Sequence, residues 1–395
     1  MSRADRRRRW VAALAVFVVA GCQVVLGIDA REAATRGDDA ADAATVDAAV
    51  ETPGDAGGAD VTVCRIGEDR CGGACVDLRT SPNHCGECGR SCLGARCTGG
   101  TCEPELVVPD AGGGSVWLVG SELWYRWDDD GPVMSTLLAR DRKTNAARAI
   151  GEIGHWTTLT PTTSSAWLLL EHVPNPRLRL VDPVVGLGAV VYAQPTETPP
   201  FRGANVEGDD VFWSTRKDVR HVKLDGSGYE VVHTVTRHDA GASIGILATP
   251  TTVFFGVEDT FEIMTVPRDG DRQVTAFDRG DGNVVWMGLR GDTLFWAGGK
   301  QIRAVSLTTK AVETYPLGNI AQAAIARDDV LYVADVAHHP GTLPDPRASR
   351  VVRLDLATRR RTVIADGLPV LGQIAVDDRY VYLPYADGGI YRVPR

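Results

Sequence analysis

From about residue 105 onward, short apolar runs rich in Trp, Tyr, Phe and Val alternate with breaks of Gly, Asp and Pro. Runs of this length bounded by turn residues predict strands, and no stretch holds a 3.6-residue period. The runs recur as one unit: a strand, a two-residue polar turn, then an aromatic-rich strand. It reads clearly from Asn205 to Trp213, Met287 to Trp296, Ala324 to Tyr332 and Ile374 to Tyr382. Looser copies run from Val116 to Tyr125, Leu159 to Leu169 and Ile246 to Phe255. A second hairpin follows each first one, as at His221 to Gly226, Met264 to Gly270, Arg303 to Leu307 and Val352 to Leu356. Anchored on the second strand at 116, 166, 211, 253, 294, 331 and 381, the spacings are 50, 45, 42, 41, 37 and 50. Four antiparallel strands in about 40–45 residues is the period of a β-propeller blade. The expected fold is therefore all-β: a seven-bladed propeller over 104–395, with six or eight blades as the neighbouring counts.

The seventh repeat ends after three strands, at Gly389 to Val393, whereas Glu105-Leu106-Val107-Val108 is a strand with no neighbour before the first repeat. Pairing these distant segments would complete the last blade and remove its exposed edge.

The chain before the propeller has a different texture. Arg3 and Arg6 to Arg9 precede an apolar stretch, Trp10 to Ala20, too short to span a bilayer as a mature helix. Residues 1–21 are expected to be an export signal. Val19-Ala20-Gly21-Cys22 resembles the bacterial lipobox. That resemblance implies cleavage before Cys22, lipid attachment there, and a bacterial envelope location. Gln23 in place of Asp implies the outer membrane. Two or more acyl chains anchor a protein stably where one does not. Residues 22–62 are expected to be the lipidated end and a disordered tether. Within 29–60, 18 of 32 positions are Ala or Asp, and nine acids face two arginines.

Residues 63–103 hold eight cysteines: Cys64, Cys71, Cys75, Cys85, Cys88, Cys92, Cys97 and Cys102. So short a segment buries too little apolar area to fold unaided, and an even cysteine count in an exported chain predicts disulfides. Their connectivity stays open. Zinc is the rival, since Cys85-x-x-Cys88 beside His84 is half of a metal-binding spacing, but no second pair of that spacing follows. The runs Cys71-Gly72-Gly73-Ala74-Cys75-Val76-Asp77 and His84 to Cys92 resemble cysteine-rich segments of bacterial surface lipoproteins, a likeness that implies no catalytic role.

A resemblance also attaches to the third repeat. Val211-Phe212-Trp213-Ser214-Thr215, with Asp225-Gly226-Ser227-Gly228 and Glu230-Val231-Val232 after it, resembles a YWTD-type blade of the low-density-lipoprotein-receptor kind. The tetrad is degraded elsewhere, to Phe295-Trp296-Ala297-Gly298 and Leu331-Tyr332-Val333-Ala334. The resemblance implies architecture and carries no receptor function.

Composition narrows the functional classes. The chain has 395 residues, 44% hydrophobic and 24% charged, with net charge −9. Loss of residues 1–21 removes five Arg and one Asp, taking the mature chain near −13. That sign argues against a nucleic-acid partner, and the lack of a long apolar run argues against a polytopic membrane protein.

Few residues suggest chemistry. The paired acids at 209–210, 328–329 and 377–378 fall in the same turn of successive repeats, where Asp suits the backbone. Gly186-Leu187-Gly188 lacks the third glycine and following helix of a dinucleotide loop and reads as a hairpin. Asp128-Asp129-Asp130-Gly131 and Asp278 to Asn283 lack the alternating ligands of a calcium loop. Arg-Gly-Asp at 279–281 and 290–292 is short enough to arise by chance. His338-His339, with Asp335 and Asp345, sits in an insertion between the second and third strands of the sixth repeat, where a ligand site is conceivable but solvated loop histidines are commoner. No catalytic, cofactor or metal residue is assigned. The expected function is a non-catalytic binding module for a protein, peptide or glycan, held at the membrane by its lipid. The alternatives are a propeller hydrolase or lyase, or a structural envelope component.

Overall fold

The second strand of each repeat is the most apolar, and the fold explains why. In this computed structural model Val211, Phe212, Trp213 and Ser214 are all buried, as are Val253 to Val257 and Leu294 to Gly298. Such strands lie inside a sheet and are covered on both faces by neighbouring blades, so they read as continuous runs rather than alternating ones. Fourth strands sit at the rim and are less buried than second strands, most clearly in Val312–Pro316, where Tyr315 alone is buried. The structure describes residues 64–395 except 110, 113, 128–133, 174–175, 194–200, 236–241, 259, 270–271, 338–344, 368–369, 371 and 386–387. Cys22, the export signal and the tether lie outside the described residues.

Seven antiparallel blades form the ring. Blades 3, 4, 5 and 6 are separate four-stranded sheets, beginning at Ala204, Ala242, Val284 and Ile320. Blades 1 and 2 merge into one seven-stranded sheet because the 15-residue strand Ala147–Pro161 serves both. Its residues 147–154 pair with Met134–Asp141, and residues 155–161 pair with Trp167–Val173. Blade 7 comprises Ala375–Val376, Tyr380–Pro384 and Ile390–Pro394, and its fourth strand is Glu105–Val108. Ile390 pairs with Val108, Tyr391 with Leu106 and Arg392 with Glu105, so the ring closes through the expected segment.

Two further features support the count. The hydrophobic residues gather into seven clusters, each drawing on two neighbouring blades. The cluster of Val108, Val116, Leu123, Tyr125, Ala375, Tyr382 and Ile390 joins blade 7 to blade 1. In six of the seven blades, moreover, the pairing of the third and fourth strands shifts register by one residue at a similar place. The closing strand takes this bulge at Val107, matching Val232, Phe277 and Ile364 of other blades. A bulge bends and twists the rim strand.

One anchor of the sequence reading moves. Residue 116 belongs to Val116–Val119, the first strand of blade 1; its second strand is Glu122–Trp127. Blade 1's first strand is itself buried at Val116, Trp117 and Val119, which made it resemble a second strand. Second strands begin at 122, 167, 210, 252, 293, 330 and 380. Gly186-Leu187-Gly188 opens the rim strand of blade 2. Among the described residues, no helix is long and apolar enough to cross a membrane.

Candidate functional site

The cysteine segment holds four disulfides: Cys64–Cys75, Cys71–Cys88, Cys85–Cys97 and Cys92–Cys102. They staple two small ribbons, Asp69–Cys71 with Ala74–Val76 and Cys97–Thr98 with Thr101–Cys102. The sulfurs of Cys85, Cys92 and Cys102 lie within 4.8 Å of one another. All three are oxidised in disulfides, so none is the thiolate that zinc requires. Nδ1 of His84 accepts the Gly89 amide at 3.0 Å, which places this histidine in a turn of the segment.

The segment docks on the rim of blade 6. Arg90 is 6% exposed, and its guanidinium donates to Ile364 O at 2.7 Å, Val363 O at 3.3 Å and Cys85 O at 3.4 Å. Ile364 is the bulged residue of that rim strand, so a carbonyl of an outer edge gains a charged donor from another part of the chain. Burial pulls the Arg90 pKa below its usual value, opposed by the neighbouring Glu87. Glu87 in turn meets Arg360 at 3.0 Å and Arg353 at 3.8 Å.

This docking creates a cleft of about 490 Å³ between the segment and blades 6 and 7. Arg90, Arg353, Arg379 and Arg395 line it together with Glu87 and Asp378. Arg395 is held by Asp328 at 3.1 Å and the Asp377 carbonyl at 3.2 Å. Arg379 is exposed, and no side-chain partner meets it among the described residues. Asp378 is already bonded to Arg327. Arginine forks in a recess suit carboxylate or phosphate groups.

The cysteine-rich portion has a known counterpart: residues 32–105 match the stigma-specific STIG1-like protein family. No match to a curated protein was found for the chain. Among solved structures, it is similar to a streptogramin B lyase at 12% identity and a TM-score of 0.56, over 74% of this chain and 96% of the other. Virginiamycin B lyase from Staphylococcus aureus is similar at 13% identity and 0.55, over 74% and 97%. A chain of a mitotic checkpoint complex is similar at 11% and 0.54, over 74% and 93%. At these identities the likeness shows the propeller fold and no shared chemistry.

The acids singled out in the sequence have structural work. Asp328, in the left-handed region at φ 53°, occupies a turn of blade 6. Asp377 accepts from Tyr382 Oη at 2.7 Å, the amides of Arg379 and Tyr380, and Arg142 of blade 1. Burial alone would raise its pKa; the hydrogen bonds and Arg142 outweigh it and hold the carboxyl below its ordinary range. Burial and the Asp377 hydrogen bond push Tyr382 up to about 12. Asp210 bonds Nε2 of His221 at 2.7 Å and Arg268 of blade 4, while Glu230 meets Nδ1 of His221 at 3.1 Å and Arg272 at 2.8 Å. These five groups line a recess of about 170 Å³ and match each other across two blades.

The remaining candidates separate. Asp278 pairs with Arg303 and accepts from Trp296 Nε1 at 2.8 Å, and Asp281 accepts the Lys300 amide, so both belong to blade scaffolding. Asp335 is fully buried, bonded to Arg350 and to the amides of Gly318 and Asn319. Of the Arg-Gly-Asp at 290–292, Arg290 pairs with Asp329 and Asp292 accepts from Ser306 and Thr308. His338, His339 and the 128–131 cluster lie outside the described residues, as does the Asp345 side chain. The cleft arginines carried no sequence signal: Arg90 and its carbonyl partners are 273 and 274 positions apart.

Proposed function

We propose that this chain is a bacterial envelope lipoprotein. In this reading Cys22 carries the lipid, the 22–62 tether spaces the folded part from the outer membrane, and the propeller with its cysteine segment forms a non-catalytic binding module. Its ligand is a protein, peptide or glycan. One observation carries the reading. The cysteine segment is packed against blade 6 through Arg90 and Glu87, and the junction forms a cleft lined by arginines of the segment and of blades 6 and 7. At about 490 Å³ the recess has the size of a ligand site, and its open, charged lining suits a charged group on a larger ligand. The lyases' reaction is not carried over, because their likeness extends to architecture alone.

Two arms of one experiment test this. Metabolic labelling with a fatty-acid probe should mark the wild type and leave Cys22→Ser unlabelled. Crosslinking and capture from detergent-solubilised membranes should recover a partner with the wild type and lose it when Arg353 and Arg379 become Glu. Equal labelling removes the anchor. A partner retained by the charge-reversed protein removes the cleft as its site, and no partner at all favours a structural envelope role.

A further inference from the structure

We infer that the cleft between the cysteine segment and blades 6 and 7 binds a phosphate group carried by the ligand. This deepens the binding-module reading and rests on it.

The charge balance comes first. The chain is acidic overall, yet four arginines line this recess against two acids. Both acids are engaged by arginines outside the lining set: Glu87 by Arg360 at 3.0 Å and Asp378 by Arg327. The lining guanidiniums therefore keep an excess of positive charge at an open recess, and their clustering raises the local potential for an anion.

Donor geometry comes second. Arg90 donates to backbone carbonyls and acts as the strut that shapes the recess. Arg395 is oriented by Asp328 and the Asp377 carbonyl. Arg353 meets Glu87 at 3.8 Å, longer than a hydrogen bond, and Arg379 has no side-chain partner among the described residues. Arg353, Arg379 and Arg395 thus line one recess from two blades. A carboxylate offers two oxygens and one charge. A phosphate ester offers up to three free oxygens and nearly two charges at neutral pH, and so engages three forks at once. A cleft of about 490 Å³ also leaves room for whatever bears the phosphate.

The test uses the full chain carrying Cys22→Ser, at low ionic strength. Calorimetric titration with inorganic phosphate should show saturable binding that weakens about tenfold in Arg353→Gln/Arg379→Gln, equivalent to about 1.4 kcal/mol. Arg379→Gln alone, at an exposed and unpartnered position, should weaken binding severalfold with an unchanged melting temperature. This keeps the test decisive if the double variant folds poorly. Cosedimentation with phosphatidic acid vesicles, whose headgroup is a phosphate monoester, but not with phosphatidylcholine vesicles, would assign the phosphate to a lipid headgroup. Phosphate binding without cosedimentation would assign it to a soluble ester. Absence of phosphate binding, or equal binding by parent and Arg379→Gln, overturns the inference. Membrane capture of a partner by a protein that ignores phosphate would leave the binding-module reading standing without it.

Discussion

Closure of the ring through Glu105–Val108 can be tested one side chain at a time, because that strand's interactions differ in size. Val108 is 1% exposed and lies in the cluster joining blade 7 to blade 1. Val108→Ala removes two methyl-sized groups at about 0.8 kcal/mol each, and the cavity left behind brings the cost to about 2 kcal/mol. Glu105 pairs with Arg392 at 2.8 Å, but their side chains are 55% and 28% exposed, which limits that pair to about 1 kcal/mol or less. Leu106 is 48% exposed, so a polar replacement there costs little. Val108→Asp forces a carboxylate into the apolar cluster, several kcal/mol by general desolvation arguments, and should free the strand. At about 2–4 °C per kcal/mol for a domain of this size, Val108→Ala should lower the melting temperature by about 4–8 °C. Val108→Asp should lower it further and produce dimers through the uncovered edge of Ile390–Pro394, seen by light scattering after size exclusion. Glu105→Ala and Leu106→Asp should stay within about 3 °C of the parent. If Val108→Asp melts like the parent and stays monomeric, or Leu106→Asp is equally damaging, the burial argument for closure is wrong.

Two further outcomes follow from buried charges. Arg90→Met keeps the stem but removes the donors to Ile364 O, Val363 O and Cys85 O. Losing hydrogen bonds from a charged group costs about 1.5–3 kcal/mol, so protease cleavage between the cysteine segment and the ring should accelerate tenfold or more while propeller melting changes little; an unchanged cleavage rate would show that Arg90 is not the strut. Asp377 has a folded pKa below its unfolded value near 3.9, so its contribution is present at neutral pH and lost as pH falls through the folded value. Asp377→Asn should therefore melt below the parent at pH 7, with the difference closing under acid, and a constant difference would assign the loss to shape rather than charge.

The parts of the fold legible in the sequence are those that burial forces into a pattern. Trp213, Trp296 and Tyr332 are fully buried on second strands between two blades, so the aromatic anchor recurs at nearly constant spacing. The closing strand was legible as a missing partner: three strands at the end and one unpaired at the start. The shared strand Ala147–Pro161 was not, because Gly151 and Gly154 near its division read as a break rather than as the middle of one continuous strand. Nor was a recurring rim turn in which Asn145, Lys310 and Arg359 each take the left-handed conformation at 63°, 59° and 62°. Two of these are residues without a turn signature. Disulfide pairing and the cleft arise from contacts between distant segments, and exposed arginines need no periodicity to be placed.

The order of segments along the chain has a thermodynamic consequence at the point of closure. Cys102 sits in the last disulfide, three residues before the closing strand starts at Glu105. Between them, Glu103 donates its amide to Arg96 O at 2.9 Å, and its side chain accepts from Thr98 Oγ1 at 2.9 Å. The closing strand therefore leaves a covalently stapled body that is itself fixed to blade 6 by Arg90. Bringing together chain ends separated by nearly the whole propeller costs entropy that grows as the logarithm of the loop length. Docking the stapled segment on blade 6 meets most of that cost once, and the short strand then pairs with Ile390–Pro394 as a local event. The cysteine segment can act in this way without contributing to the seven interblade clusters, because its own cluster consists of the half-cystines Cys85, Cys92, Cys97 and Cys102 packed by Ala95.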